Sequence, residues 1–160
     1  MDFSEILLNI ERYLSVLVIS MAPIIELKGA MPIGLALGLG VWETFFTALI
    51  GSCLPVPFLI LFIRKLLEWM SGCKIRFFQK FAGFLNRKIE KGQQSRFFET
   101  SALLGLFAFV AIPLPTTGVW TGSMIAGVLK LRMRTALPII VAGNTVAGLI
   151  VLYVSYLALL

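Results

Sequence analysis

The sequence contains no histidine and only two cysteines in 160 residues. Without imidazole there is no Ser-His-Asp triad, no H-E-x-x-H zinc site and no histidine proton relay. Cys53 and Cys73 form no C-x-x-C pair, and Cys53 lies inside an apolar run, which argues against a structural disulfide or zinc site. Charge is scarce as well: 14% of residues are Asp, Glu, Lys or Arg, against 59% hydrophobic. That balance reads as an integral membrane protein with room for one compact unit. Gly29 and Gly34 are not followed by Lys-Ser or Lys-Thr, so a phosphate loop and direct use of nucleotide are not expected. Asp2, Glu5 and Glu11 stand where a cleavable signal would be basic. With no metal spacing and no nucleophile–base pair, the chain is not read as an enzyme: no catalytic residue, metal or cofactor is expected.

What the sequence does have is long apolar runs, two of them broken in the middle. Residues 100–129 are 30 uncharged positions, enough by hydropathy for a transmembrane helix. Yet the centre reads Ala111-Ile112-Pro113-Leu114-Pro115-Thr116-Thr117-Gly118-Val119-Trp120-Thr121-Gly122. Proline removes a backbone donor and clashes with the preceding turn, which disfavours an unbroken helix. The arms, 103–112 and 123–129, each cover roughly half a bilayer at ~1.5 Å rise per residue. The segment is expected to enter the membrane, turn near the midplane and leave by the same face. Non-helical backbone at that depth is tolerated only against protein or a wet cavity, so the turn is a candidate site.

Charge placement favours re-entry. Nine Lys or Arg lie from Arg64 to Arg96, and Lys130, Arg132 and Arg134 follow the broken segment at once. A crossing helix would put these groups on opposite sides; a re-entrant one keeps all of them on one, the cytoplasmic side by the positive-inside tendency. The net charge of +6 then reads as a polybasic rim near anionic lipid and not as a nucleic-acid surface.

The same layout recurs earlier. Residues 13–25 and 29–42 are uncharged runs, each too short to span alone. Between them stands Ala22-Pro23-Ile24-Ile25-Glu26-Leu27-Lys28-Gly29-Ala30-Met31-Pro32-Ile33-Gly34, read as a second polar turn. Two further runs are full spans: 44–63, kinked at Gly51, Pro55 and Pro57, and 135–160, with Pro138, Gly143, Asn144 and Gly148. In the polar stretch, Phe78, Phe81, Ala82, Leu85 and Ile89 share a helical face, opposite Arg76, Lys80, Arg87 and Lys91.

The fold class expected is an all-α integral membrane protein: two re-entrant helical hairpins and two full transmembrane helices in an inverted repeat, plus amphipathic interfacial helices. The single domain, 1–160, divides into an interfacial helix (1–12), hairpin 1 (13–42), a transmembrane helix (43–70), a cytoplasmic basic amphipathic linker (71–99), hairpin 2 (100–129) and a transmembrane helix (133–160).

Glu26 and Lys28 are the ionisable side chains inside the predicted membrane zone. A charge there costs ~2.5–3.5 kcal/mol on insertion scales, so such residues face a cavity or each other. Glu26 could take up H⁺ or Na⁺ and Lys28 could meet an anion; the alternatives are a local pair that closes the turn and a turn shallow enough to be wet. Thr116, Thr117, Trp120 and Thr121 offer hydroxyls and an indole to a ligand, or else to broken backbone. Asn144, an amide in the last span, has two candidate partners, the hairpin turn and a neighbouring helix. Gly34-x-x-x-Gly38 and Gly118-x-x-x-Gly122 read as close packing.

The stretches 26–32 and 112–122 together resemble the Putative small multi-drug export protein family of bacteria and archaea, and the likeness covers nearly the whole chain. That family is itself similar to the DedA (VTT, SNARE-associated) membrane proteins. The resemblance implies two facing re-entrant hairpins and transport, with Glu26 as the acidic residue of the first motif and Lys28, Gly29 and Pro32 completing it. Pro113, Pro115, Gly118, Trp120 and Gly122 match the second. DedA proteins carry basic residues in or beside the second hairpin; here the turn has none, and Lys130, Arg132 and Arg134 stand after it, facing lipid headgroups at the interface.

The expected function is a small transporter in a bacterial or archaeal inner (plasma) membrane, moving an amphipathic or lipid-linked, anionic small molecule. H⁺ or Na⁺ coupling through Glu26 and a homodimer are expected, and no nucleic acid. The alternatives are a small multidrug exporter of cationic drugs and a non-transporting scaffold or assembly factor.

Overall fold

The computed structural model describes residues 3–72, 80, 83, 87, 96–114 and 117–158. Every regular element among them is a helix: α1 Phe3–Ser20, α2 Glu26–Ala36, α3 Val41–Cys53, α4 Val56–Gly72, α5 Arg96–Ala111, α6 Val119–Val128 and α7 Met133–Ala158. The all-α expectation is met. Most of the predicted basic amphipathic face over 71–99, including Phe78, Phe81, Ala82, Leu85 and Ile89, lies outside the described residues.

Local sequence explains where these helices stop. Gly38 takes a left-handed φ of 84° just after α2. Its N–H reaches Leu35 O at 3.0 Å and the Leu39 N–H reaches Gly34 O at 3.1 Å, closing the last carbonyls of the helix. Helix α6 ends in the same way. Lys130 (φ 52°) donates to Gly127 O at 3.1 Å, and Leu131 donates to Ala126 O at 3.1 Å. In both motifs the residue after the left-handed one, Leu39 or Leu131, is buried and anchors the exit. Prolines at 55 and 57 divide α3 from α4 at Leu54, as the kink reading expects.

Two boundaries differ from the sequence reading. The predicted interfacial helix is continuous with the arm that follows it, since α1 runs unbroken from Phe3 to Ser20. The first turn is also shorter, confined to 21–25, and Glu26, Lys28, Gly29 and Pro32 all lie in α2. Pro32 costs this helix one bond, to Lys28 O, and does not end it.

Packing makes two cores. The first joins Val16 of α1, Leu27 and Met31 of α2, and Phe45 and Ala48 of α3, with Leu152 of α7 against them. The second joins Val56 and Ile60 of α4, Leu106 and Val110 of α5, Val119 and Ala126 of α6, and Ala136 and Ile140 of α7. The α3–α4 stretch therefore runs from the first core to the second, while α7 runs from the second back to the first. Among the described residues these are the two stretches long and apolar enough to cross a bilayer: Val41–Gly72, 32 residues with an 18-residue window at mean hydropathy 2.2, and Met133–Val154, 22 residues with such a window at 2.1. Their outer faces stay apolar, with Phe58 74% and Tyr153 63% exposed. So much uncovered apolar surface suits lipid and not water.

Candidate functional site

The turn between α1 and α2 and the turn between α5 and α6 meet. Trp120, in the first turn of α6, donates its indole N–H to Met21 O of the other turn at 3.0 Å. Its backbone N–H donates to Glu26 Oε1 at 3.1 Å, and the Val119 N–H also bonds that carboxylate. Glu26 thus serves as the cap of a helix 94 residues away in sequence. A helix N-terminus carries unsatisfied N–H groups and about half a unit of positive charge, which a carboxylate complements.

Lys28 makes the reciprocal contact. Its ammonium donates to Leu114 O at 3.0 Å and to Thr117 O, two carbonyls of the second turn. The predicted alternative, a local Glu26–Lys28 pair, is not how either group is held: each bonds backbone of the opposite turn. An ammonium has three donors, so one N–H remains beyond these two, on a side chain that is only half-buried.

The junction holds strain and close contact. Glu26 has φ 46°, and among the described residues Glu26 and Lys130 are the non-glycines with positive φ. Such a backbone costs of order 1–3 kcal/mol and persists only where its surroundings hold it. A Cβ on Gly118 would sit 2.6 Å from Glu26 Cδ, so only glycine lets the carboxylate reach the α6 amides. Its partner in spacing, Gly122, instead packs against Val110 of α5, and Gly34 packs against Thr44 of α3. In each Gly-x-x-x-Gly pair one glycine serves close packing, while Gly118 admits the carboxylate and Gly38 turns the chain.

The junction also lies at a defined height. Met21 and Trp120 share an apolar groove of about 400 Å³ with Leu54, Pro55, Phe58, Leu59 and Phe62. Both turns therefore sit beside the α3–α4 break, near the middle of the uncharged run 44–63.

Of the other predicted residues, Thr117 serves its own turn: its hydroxyl donates to Ile112 O at 2.7 Å and accepts from Leu114 N at 3.2 Å. Thr121 is in α6, one residue past Trp120. Gly29 and Pro32 follow in α2, and Pro113 stands in the second turn; Pro115 and Thr116 lie outside the described residues. Asn144 is not at the turns. It is buried in α7, where Nδ2 donates to Ser52 Oγ of α3 at 2.8 Å. Lys130, Arg132 and Arg134 cluster at the α6–α7 link, away from the junction, with Lys130 and Arg132 beside Phe98 and Glu99 of α5.

Sequence reasoning missed Arg64, which donates through Nη2 to Leu131 O and so pins the α6–α7 link to α4. Its position at the end of an apolar run read only as an interfacial cation. Ser52 was also missed, because a lone serine in a span carries no signal until its partner is known.

Compared with known families, residues 26–150 match the family described as Putative small multi-drug export protein. No curated protein matches the chain, and no solved structure does.

Proposed function

The chain belongs to the Putative small multi-drug export protein family, and from that premise we propose a transporter whose two hairpins enter the membrane from opposite faces and meet at its midplane. One observation carries this: the charges of Glu26 and Lys28 are satisfied by the opposite turn, beside the middle of a 32-residue apolar stretch. Helix α2 leads from that junction to the start of α3, and α6 leads from it toward Arg64 in the middle of α4. The two second arms thus lead away from the α3–α4 break in opposite directions along the same stretch, as an inverted repeat would have them do.

On this reading the Glu26 carboxylate is the latch between the halves. Ionised, it holds the α6 N-terminus; neutralised by H⁺, or drawn to Na⁺, it lets the turns part. Alternating access then amounts to exchange of this contact. Lys28 keeps one donor for an anionic headgroup, and the apolar groove at Met21 and Trp120 suits the rest of an amphipathic molecule. DedA proteins, which the family resembles, are associated with translocating lipid-linked or phospholipid headgroups, and that resemblance is the ground for a lipid-linked substrate. Lys130, Arg132 and Arg134 would lie at the cytoplasmic interface of a plasma membrane, and a homodimer would complete the wall of the pathway. A second reading, export of lipophilic cations, draws on the aromatic lining of the groove, Phe58, Phe62 and Trp120, next to a carboxylate.

The test is reconstitution in liposomes under an imposed pH or sodium gradient, with a lipid-linked phosphate and a lipophilic cation as alternative substrates. Gradient-driven flux is expected for one of them in the wild type, and Glu26→Gln should abolish it. Flux unaffected by Glu26→Gln removes the latch. No gradient-driven flux with either substrate favours a scaffold that organises lipid or partner proteins.

A further inference from the structure

The break between α3 and α4 frees backbone oxygens from their helical donors beside a buried amide oxygen that has no partner among the described residues. Pro55 and Pro57 have no N–H, so the carbonyls of Gly51 and Cys53 lose the partner each would have four residues on in an unbroken helix. Beside them stands Asn144 of α7, 1% exposed. Its Nδ2 donates to Ser52 Oγ at 2.8 Å and lies 3.6 Å from Cys53 Sγ. The Ser52 hydroxyl gives its own proton to Leu49 O at 3.1 Å. Asn144 Oδ1 is buried with no hydrogen-bond partner among the described residues. Glu26 bonds the backbone of Trp120, which shares the apolar groove with Leu54 and Pro55 of this break.

A buried amide oxygen is rarely left alone. The groups gathered here are neutral oxygens: an amide, a hydroxyl, carbonyls freed from a broken helix, and the negative end of α3. Hard cations take such ligands, and carbonyls of interrupted membrane helices are where transporters hold coupling ions. One nearby carboxylate is too little charge for the usual divalent site. Among the described residues no three His, Cys, Asp or Glu cluster as a transition metal would need.

We infer that Asn144, Ser52 and the α3–α4 break form a binding site for one monovalent cation, Na⁺. The site rests on the transport reading only for its coupling role, since ion binding is an equilibrium property of the folded chain. An ion there would tie α7 to the span break beside the Glu26 latch.

The experiment uses the purified full-length chain in detergent, with no gradient present. Binding of radioactive sodium is measured by equilibrium dialysis, and melting temperature is compared in sodium chloride and choline chloride. Saturable sodium binding and a higher melting temperature in sodium are expected. Asn144→Leu should lose both. Ser52→Ala removes a single hydroxyl and is the safer variant should Asn144→Leu misfold; it should bind about tenfold more weakly, as loss of a partner group at a metal site does. No saturable binding in the wild type, or undiminished binding in Ser52→Ala, overturns the site and leaves a buried water as the partner of Asn144. Absent sodium binding with proton-driven, Glu26-dependent flux intact removes the site alone. Sodium binding without any flux removes the transporter reading alone.

Discussion

The helix pairs α1–α2 and α5–α6 are built alike and equipped oppositely. Each is two helices around a short turn, and the second helix of each ends in the same left-handed cap. The first pair brings side-chain charge, Glu26 and Lys28. The second brings bare backbone: amides at the start of α6 for the carboxylate, and carbonyls of Leu114 and Thr117 for the ammonium. Leu114 and Thr117 lie between α5 and α6, outside the ladder of either helix, which leaves their carbonyls open to the ammonium. The comparison teaches that two charges can be kept within apolar surroundings without pairing with each other, when a broken helix supplies both signs of partial charge.

The sharpest way to break this complementarity is at Lys28. Lys28→Met keeps the length and apolar stem of the side chain but abandons two carbonyls. Leu114 is exposed and its carbonyl keeps the Thr117 N–H at 3.3 Å, so the loss falls mainly on the part-buried Thr117 O. An acceptor that loses a charged donor costs ~1–3 kcal/mol, and a loss of about 2 kcal/mol with a clear fall in melting temperature is expected. Lys28→Arg, which retains donors, should lose much less. If Lys28→Met melts like the wild type, the second turn holds itself and the ammonium is free for other work.

Gly118→Ala probes the other half of the exchange. A methyl at 118 displaces the Glu26 carboxylate from the α6 amides without removing it. The cost should be that of a lost N-cap in partly buried surroundings, about 1–2 kcal/mol. Gradient-driven flux should fall as it does for Glu26→Gln. Normal melting with impaired flux would show that the contact serves transport and not stability.

Much of this junction was legible in the sequence, and the reasons are local. Charges inside an apolar run and prolines inside a predicted span are violations of membrane solvation that need no partner to be noticed. Partners were not legible. Nothing near Glu26 says that its carboxylate caps a helix 94 residues on, and nothing near Asn144 points to Ser52. Such pairings follow from how two hairpins seat against one another, which no periodicity encodes. The start of α2 was misplaced for a similar reason. Glu26-Leu27-Lys28-Gly29 reads as a polar turn because charge and glycine favour turns in water. Here the charges are satisfied across the junction, so the backbone is free to be helical from Glu26 onward.

The two caps give the mildest test, since the same left-handed position is filled by Gly38 after α2 and by Lys130 after α6. Glycine adopts that conformation freely, whereas a residue with a Cβ is held there at ~1–2 kcal/mol. Gly38→Ala should therefore destabilise the chain by about 1 kcal/mol, read as a small drop in melting temperature. Lys130→Gly is not its mirror image. It relieves the backbone, but glycine loses more freedom on folding, by roughly 0.5–1 kcal/mol, and the interactions of the lysine itself go with it. The net change should lie within about 0.5 kcal/mol of zero. A Lys130→Gly variant that melts well above the wild type would mean that the lysine is kept at a standing cost in stability. That cost would fit a cation held at the α6–α7 link for lipid headgroups or substrate, and not for the fold.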